Sequence, residues 1–115
     1  MKNEISIFSP ERVTLRVTFL VLSGASIMCV ASAVDPLRAA NRISGGAVFE
    51  WSLVSPDGEP PLTSCGIPIA VSGALDPSAR TDVFVVIAGF GNREQATPAL
   101  LSRIRRMARA ARAYG

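Results

Sequence analysis

Histidine is absent from the 115 residues of this chain, and cysteine and the aromatic residues are scarce. Without imidazole the chain lacks the commonest general base and the commonest protein ligand of transition metals. Its two cysteines, Cys29 and Cys65, form no Cys-x-x-Cys pair, so neither a zinc site nor a redox motif is indicated. We therefore expect two free, partly buried thiols, no metal and no cofactor, and any chemistry would have to run without imidazole.

Charge is also scarce. Charged residues make up 18% of the chain and hydrophobic residues 49%, which is typical of one globular domain of this length. The formal net charge is +3, and the surplus lies near the carboxyl terminus, where five arginines fall between Arg103 and Arg112. These arginines could contact nucleic acid or phosphate, or they could form the solvated face of a helix.

The uncharged segment 17–34 ends at Ala31-Ser32-Ala33 and resembles the apolar region and cleavage site of a secretory signal. Two features argue against that interpretation. Glu4 and Glu11 precede the segment, and small polar residues within it lower its hydropathy below that of a typical membrane span. We expect a cytoplasmic protein with no membrane segment, and targeting or spanning stays as the alternative.

Apolar runs predict the strands. Alternation over residues 12–17 leads into the solid run Phe19–Leu22, a second solid run covers 82–88, and both are typical of strands buried on two faces of a parallel sheet. Alternation over 49–55 predicts another strand, ended by a turn at Pro56-Asp57-Gly58. Residues 62–72 favour short extended pieces or a small hairpin.

Two helices are predicted. The first begins after an N-cap at Ser26, is kinked or restarted at Pro36 with Asp35 as a second cap, and ends at Gly45. The last helix spans 98–114, with its arginines opposite an apolar side. Because no strand is predicted after it, we expect either a fragment or a domain that a partner completes, and hence self-association.

The ends of the two buried strands predict where a ligand would bind. Ser23-Gly24 follows the first strand and Gly89–Asn92 follows the second. Ligands of open α/β sheets bind at the carboxyl ends of the strands. The glycine loop could offer backbone N–H groups to an anion, although ordinary turn geometry would explain the same glycines.

Several of these segments, taken in order, resemble the amino-terminal domain of GlxA-type regulators of the AraC family. The most specific is Asp35-Pro-Leu-Arg-Ala-Ala-Asn41. The others are FLVLS at 19–23, FEW followed by LVSPDG within 49–58, SCGI at 64–67 and FVVIAG at 84–89.

The resemblance implies a fold and a role. Such domains belong to the PfpI and class I glutamine-amidotransferase-like superfamily, whose α/β fold is a flavodoxin-like three-layer sandwich with a mainly parallel sheet. Here it would be incomplete, with residues 1–12 as a flexible lead-in and residues 13–115 as the amino-terminal part of a sensor domain. Related regulators sense a small molecule, dimerise, and bind DNA through a carboxyl-terminal helix-turn-helix part that this chain lacks.

The resemblance also bears on catalysis. Enzymes of the superfamily use a cysteine on an elbow that would come just beyond Gly115, supported by a carboxylate at the start of the first helix. That carboxylate position falls at Cys29, and Phe90 stands where a second glycine is common. We expect a non-catalytic domain, with an amidase- or hydrolase-like enzyme as the alternative.

The expected site residues form two groups. The ligand-binding candidates are Ser23, Gly24, Cys29, Gly89, Phe90, Gly91 and Asn92. Three further residues are either structural or in contact with the ligand: Asp35, Arg38 and Asn41. The expected partners are an unidentified small-molecule effector and a second copy of the chain.

Overall fold

The structure is a computed structural model that describes residues 13–115, so the lead-in expected over residues 1–12 lies outside the described residues. Within the described residues, five strands and three helices follow one another. In order they are β1 (Leu15–Val21), α1 (Ile27–Ser44), β2 (Phe49–Ser55), β3 (Gly73–Ala74), β4 (Val83–Ile87), α2 (Asn92–Gln95), α3 (Pro98–Ala110) and β5 (Ala113–Tyr114).

The five strands form one sheet in the order β3-β2-β1-β4-β5, and every neighbouring pair is parallel. Strand β1 is central, with Leu20 in register with Val54 of β2 and Val86 of β4. The two solid apolar runs therefore lie side by side, as the sequence predicted. A central strand has sheet neighbours on both edges and helices over both faces, which explains its unbroken hydrophobicity.

A helix covers each face of the sheet. Val17, Phe19 and Val21 of β1 pack on the α1 side, in a cluster that includes Val30. Leu20 and Leu22 pack on the α3 side, in a cluster that includes Phe84, Leu100 and Met107. The result is the three-layer α/β arrangement that the resemblance implied.

Helix α1 begins and ends as its sequence predicts. The Ser26 side chain accepts a hydrogen bond from the Met28 N–H, and Gly45 ends the helix in the left-handed region at φ 77°. The expected restart at Pro36 is wrong, because one helix runs through this position and Asp35 lies in its interior rather than at a cap. Pro36 is exposed, so water can reach the carbonyl that proline leaves without a donor.

The last helix is shorter than predicted, and the expectation that no strand follows it is wrong. Helix α3 ends at Ala110, and Ala113–Tyr114 pairs with β4. The N–H groups of Arg112 and Ala113 both donate to the carbonyl of Asp82. The unpaired edge of β4 thus draws the final residues out of a helix that their side-chain periodicity would have continued.

Besides β5, two further short elements were not predicted, the two-residue β3 and the four-residue α2, because both are too short to show a periodicity. An antiparallel bridge joins Leu62 to Pro68, as expected for a small hairpin. The uncharged segment 17–34 is divided between β1 and α1. Within residues 13–115, no helix combines the length and hydropathy needed to cross a membrane.

Candidate functional site

The loops that follow β1 and β4 touch each other through their backbones. Gly24 has φ +92°, and a Cβ atom built on it would lie 2.5 Å from the carbonyl oxygen of Phe90. A Cβ atom on Gly89 would collide with the carbonyl oxygen of Gly24. Both glycines are therefore needed for the close approach of the two loops, as well as for the left-handed turn at Gly24.

A side chain from α2 reinforces this junction. The Gln95 Oε1 atom accepts a hydrogen bond from the Ser23 N–H at 3.0 Å, and its Nε2 atom donates to the Ser23 carbonyl at 2.8 Å. On the other side, the Gly24 N–H donates to the carbonyl of Leu62 at 2.8 Å. The end of the central strand is thus held between the β4 loop and the segment after β2.

A cleft of about 480 Å³ opens beside this junction, between the carboxyl end of β2 and the start of α3. Its position matches the general rule for ligands of open parallel sheets. Its lining comes from three segments and consists of Ser23, Ser55, Pro56, Asp57, Glu59, Pro60, Pro61, Leu62, Gln95, Thr97, Leu100 and Arg103.

Hydrogen bonds fix the polar wall of the cleft. Ser55 is completely buried, and its hydroxyl donates to the Glu59 carbonyl at 2.7 Å. The Asp57 carboxylate accepts from the Glu59 N–H at 3.0 Å, which fixes the turn after β2. Across the cleft, the half-buried Arg103 donates to the Leu75 carbonyl at 3.2 Å. Two acidic residues, Asp57 and Glu59, and the basic residue Arg103 thus line a single small space.

The structure separates the seven ligand-binding candidates. Only Ser23 lines the cleft, while Gly24 and Gly89 form the loop junction behind it. Phe90 is 96% exposed and Cys29 is exposed on the first turn of α1. Gly91 and Asn92 start α2, where Gly91 takes a left-handed φ of 82° and no side chain caps the helix.

The other three candidates make contacts within the fold. Arg38 donates to both carboxylate oxygens of Asp35, at 2.7 and 3.0 Å. The hydrogen bonds between the two side chains lower the pKa of the Asp35 carboxyl group and raise the pKa of the Arg38 guanidinium group. Asn41 exchanges two hydrogen bonds of 2.9 Å with the backbone of Phe49, which fastens the end of α1 to the start of β2.

Sequence reasoning missed most of the residues that line the cleft. Asp57 and Glu59 follow β2 directly, so the rule applied to the ends of β1 and β4 would have found them. The sequence pattern places Arg103 on the arginine face of the last helix, whereas in the structure its guanidinium donates to the Leu75 carbonyl, just after the edge strand β3. Gln95 carries no local signal, because only the packing of α2 brings it to Ser23.

The two thiols are free, but both cysteines are exposed, so the expected partial burial is wrong. Cys65 lies on an exposed turn, and its hydrogen bond with the Thr63 side chain lowers the pKa of its thiol. Neither cysteine lines the cleft. No group of three or more acidic or cysteine side chains within residues 13–115 is placed to hold a metal ion.

The sequence is similar to curated transcriptional regulators. It is 42% identical over 91 residues to the HTH-type transcriptional regulator CdhR of Pseudomonas aeruginosa, a match that covers 79% of this chain and 27% of that protein. It is 32% identical over 97 residues to the HTH-type transcriptional regulator GbdR of the same species, a match that covers 84% of this chain and 26% of that protein. The chain thus spans about a quarter of the length of these relatives. No family model matches the sequence.

Solved structures share the fold. An AraC family transcriptional regulator from Pseudomonas putida superposes with a TM-score of 0.70 at 25% identity, covering 84% of this chain and 59% of that one. A DJ-1 superfamily protein from Agrobacterium tumefaciens superposes with a TM-score of 0.58 at 20% identity, covering 84% of this chain and 49% of that one. At this identity the similarity shows the fold alone. The chain is therefore homologous to part of the HTH-type regulators of the AraC family, and its flavodoxin-like α/β fold is that of the DJ-1/PfpI superfamily, as the resemblance predicted.

Proposed function

We propose that residues 13–115 form the amino-terminal part of a non-catalytic sensor domain in a cytoplasmic transcriptional regulator, and that a small polar effector binds in the cleft between β2 and α3. The observation that carries this proposal is the cleft itself, because it lies beside the end of the central strand and brings charged groups of both signs together. The homologous regulators support a regulatory role.

The dimensions and rigidity of the cleft favour a small molecule. A volume of about 480 Å³ lies within the range of ligand pockets in proteins. Hydrogen bonds within the chain hold Ser55, Asp57 and Arg103, so a ligand would meet polar and charged groups that are already in place. Binding to a preformed wall costs less conformational entropy than binding that must order it.

The ligand-binding candidates receive different roles in this proposal. Ser23 contacts the effector, and Gly24 and Gly89 to Asn92 support the junction behind it. Cys29 lies outside the cleft, and the chain offers no histidine to activate its thiol. A catalytic role would need a base that deprotonates the nucleophile, so the arrangement favours sensing over an amidase- or hydrolase-like reaction.

We further propose that the chain forms a homodimer through its α1 side. An open, mainly apolar groove of about 800 Å³ runs between α1 and β2. Val30, Val34, Trp51 and Leu53 line it, and the paired charges of Asp35 and Arg38 lie among its other lining residues. In this proposal DNA is bound by a helix-turn-helix part, as the name of the similar HTH-type regulator indicates for that protein.

A ligand screen by thermal shift tests the sensing proposal. An effector that binds only the folded chain raises its stability, by about 2.7 kcal/mol at one hundred times its Kd. Such a compound should lose its effect in Glu59→Gln, which changes one exposed carboxylate of the cleft, and keep it in the matched control Cys29→Ser. A compound whose stabilising effect is lost in Cys29→Ser and kept in Glu59→Gln would overturn the assignment of the effector to the cleft.

Sedimentation tests the dimer separately. Ala31 is exposed and lines the α1 groove, so Ala31→Arg should convert a dimer into monomers without disturbing the core. Ala47→Arg places the same charge on an exposed residue outside the groove and should leave the dimer intact. A wild-type chain that stays monomeric across a dilution series would exclude this interface.

A further inference from the structure

The cleft between β2 and α3 brings three charged side chains to one space, and they do not pair with one another. Asp57 and Glu59 come from the turn after β2, and Arg103 comes from α3. Among residues 13–115, no opposite charge lies within ion-pair distance of any of the three. None of the lining residues belongs to the edge strand β5. The cleft therefore has positive and negative groups that the described fold leaves without a counter-charge.

Arg103 is oriented to receive an anion. It is half-buried, and its Nη1 atom donates to the Leu75 carbonyl at 3.2 Å. A guanidinium carries five N–H donors in a planar fork, so this hydrogen bond holds the group in place and leaves donors for a second partner. A carboxylate matches the fork with two parallel hydrogen bonds. Because a partly buried charge without a counter-charge is costly, an anionic group of the ligand is favoured at Arg103.

The two acidic side chains can only accept hydrogen bonds. One carboxylate oxygen of Asp57 accepts from the Glu59 N–H at 3.0 Å, which holds this side chain in the turn. Within residues 13–115, its other oxygen and the Glu59 carboxylate have no hydrogen-bond donor. Ionised carboxylates offer acceptors and no donor, so the complementary ligand group must carry N–H or O–H. An ammonium group supplies such donors together with a positive charge.

The lining also separates one kind of cation from another. A fully methylated ammonium group has no N–H to donate, and proteins recognise it through the faces of aromatic rings. Among the described residues, no phenylalanine, tyrosine or tryptophan lines the cleft, whose apolar members are prolines and leucines. The lining therefore favours a cation that donates hydrogen bonds.

We propose that the effector is a small amino acid, with a carboxylate at one end and an ammonium group bearing N–H at the other. This inference rests on the proposed function, because it names the ligand class of the same cleft. Arg103 binds the carboxylate, and Asp57 and Glu59 bind the ammonium group. A molecule with only one of these two groups leaves part of the charge of the cleft without a partner, and so binds more weakly.

Isothermal titration calorimetry of the 115-residue chain tests the ligand class. The probes are glycine, β-alanine, γ-aminobutyrate and δ-aminovalerate, which carry the same two groups at increasing separation. At least one should bind saturably. For the tightest of them, the amine without the carboxylate, the acid without the amine and the N-trimethyl derivative should each bind about tenfold or more weakly. Absence of binding by all four probes would overturn the proposal, and so would a trimethyl derivative that binds as tightly as its parent.

Paired changes in protein and ligand test the role of each residue. Arg103→Gln should weaken binding of the amino acid by about tenfold or more, and leave binding of the amine without a carboxylate unchanged. Asp57→Asn/Glu59→Gln should do the converse, weakening the amino acid and sparing the acid without an amine. Arg109→Gln removes the same charge from an exposed position of the same helix, outside the cleft, and should bind like the wild type.

Two further outcomes keep the test decisive. If Arg103→Gln does not fold, Arg103→Lys keeps the charge and a donor for Leu75 but loses the planar fork, and it should still bind the amino acid several-fold more weakly. If a substitution weakens the amino acid and the truncated ligand equally, the residue has a structural role and the proposal is overturned.

This proposal and the proposed function fail in different ways. A stabilising compound that loses its effect in Glu59→Gln, but lacks either the carboxylate or the N–H-bearing amine, would overturn the ligand class and keep the cleft as the effector site. Amino acids that bind equally to the wild type, to Arg103→Gln and to Asp57→Asn/Glu59→Gln would place their site elsewhere and overturn both.

Discussion

The Gln95 side-chain amide faces the backbone of Ser23 through two hydrogen bonds, accepting from its N–H and donating to its carbonyl. This pair joins the short helix α2 to the end of the central strand, although 72 residues separate the two partners. An amide that uses its donor and its acceptor on one residue satisfies both backbone groups of Ser23, two residues beyond the end of β1.

The first prediction concerns this pair. Gln95→Ala should lower the free energy of unfolding by about 1–2 kcal/mol, because two hydrogen bonds are lost. Urea denaturation measures the change, and hydrogen exchange should show faster exchange at the Ser23 amide. Glu94→Ala, at the exposed neighbouring position, should stay within about 0.5 kcal/mol of the wild type. Equal losses in both variants would show that the pair contributes nothing specific.

A second prediction concerns the contact between the β1 and β4 loops. Gly89→Ala should lower the free energy of unfolding by at least about 2 kcal/mol, because the added methyl group meets the Gly24 carbonyl and the backbone must move. Gly46→Ala is the matched control, since no atom lies within 4 Å of the methyl group it would add. Thermal unfolding of the two variants compares them, and similar melting temperatures would contradict the close approach of the loops.

The third prediction separates a structural role of Asn41 from a role in ligand binding. Asn41→Asp replaces the donor that Phe49 needs with a carboxylate oxygen, so unfolding should become easier by about 1–3 kcal/mol. Arg42→Ala, at the next and exposed position, should cost less than about 0.5 kcal/mol. Urea denaturation checks both changes. Unchanged stability in Asn41→Asp would indicate that the side chain serves a ligand instead.

The fourth prediction is a pH dependence. The hydrogen bond between the side chains of Thr63 and Cys65 favours the thiolate of Cys65 and lowers the pKa of its thiol. Alkylation of Cys65, followed in a Cys29→Ser background, should therefore reach half its maximal rate at a pH below the ordinary thiol value. Thr63→Val should move that midpoint to higher pH, and Thr63→Ser should leave it near the wild-type value. A midpoint that does not respond to Thr63→Val would rule out this cause.

The sequence by itself determined the layers of the fold. Runs of apolar residues as continuous as Phe19–Leu22 occur where a strand is buried on both faces, and the caps at Ser26 and Gly45 fix α1 through local hydrogen bonds and backbone geometry. These signals lie within a few residues of one another along the chain. The same holds for the segment around Asp35 to Asn41, which carried the resemblance to the regulator family.

Only the tertiary structure decided which residues line the cleft between β2 and α3 and where helix α3 stops. Arg103 and Glu59 line the same cleft because β2 and α3 pack on one sheet, and no local pattern records that meeting. The last residues leave the helix because β4 offers unpaired backbone groups at its edge, a contact with Asp82 that helical periodicity does not encode. Local propensity sets the elements, whereas the pairing of distant backbones sets their limits and the surfaces that they share.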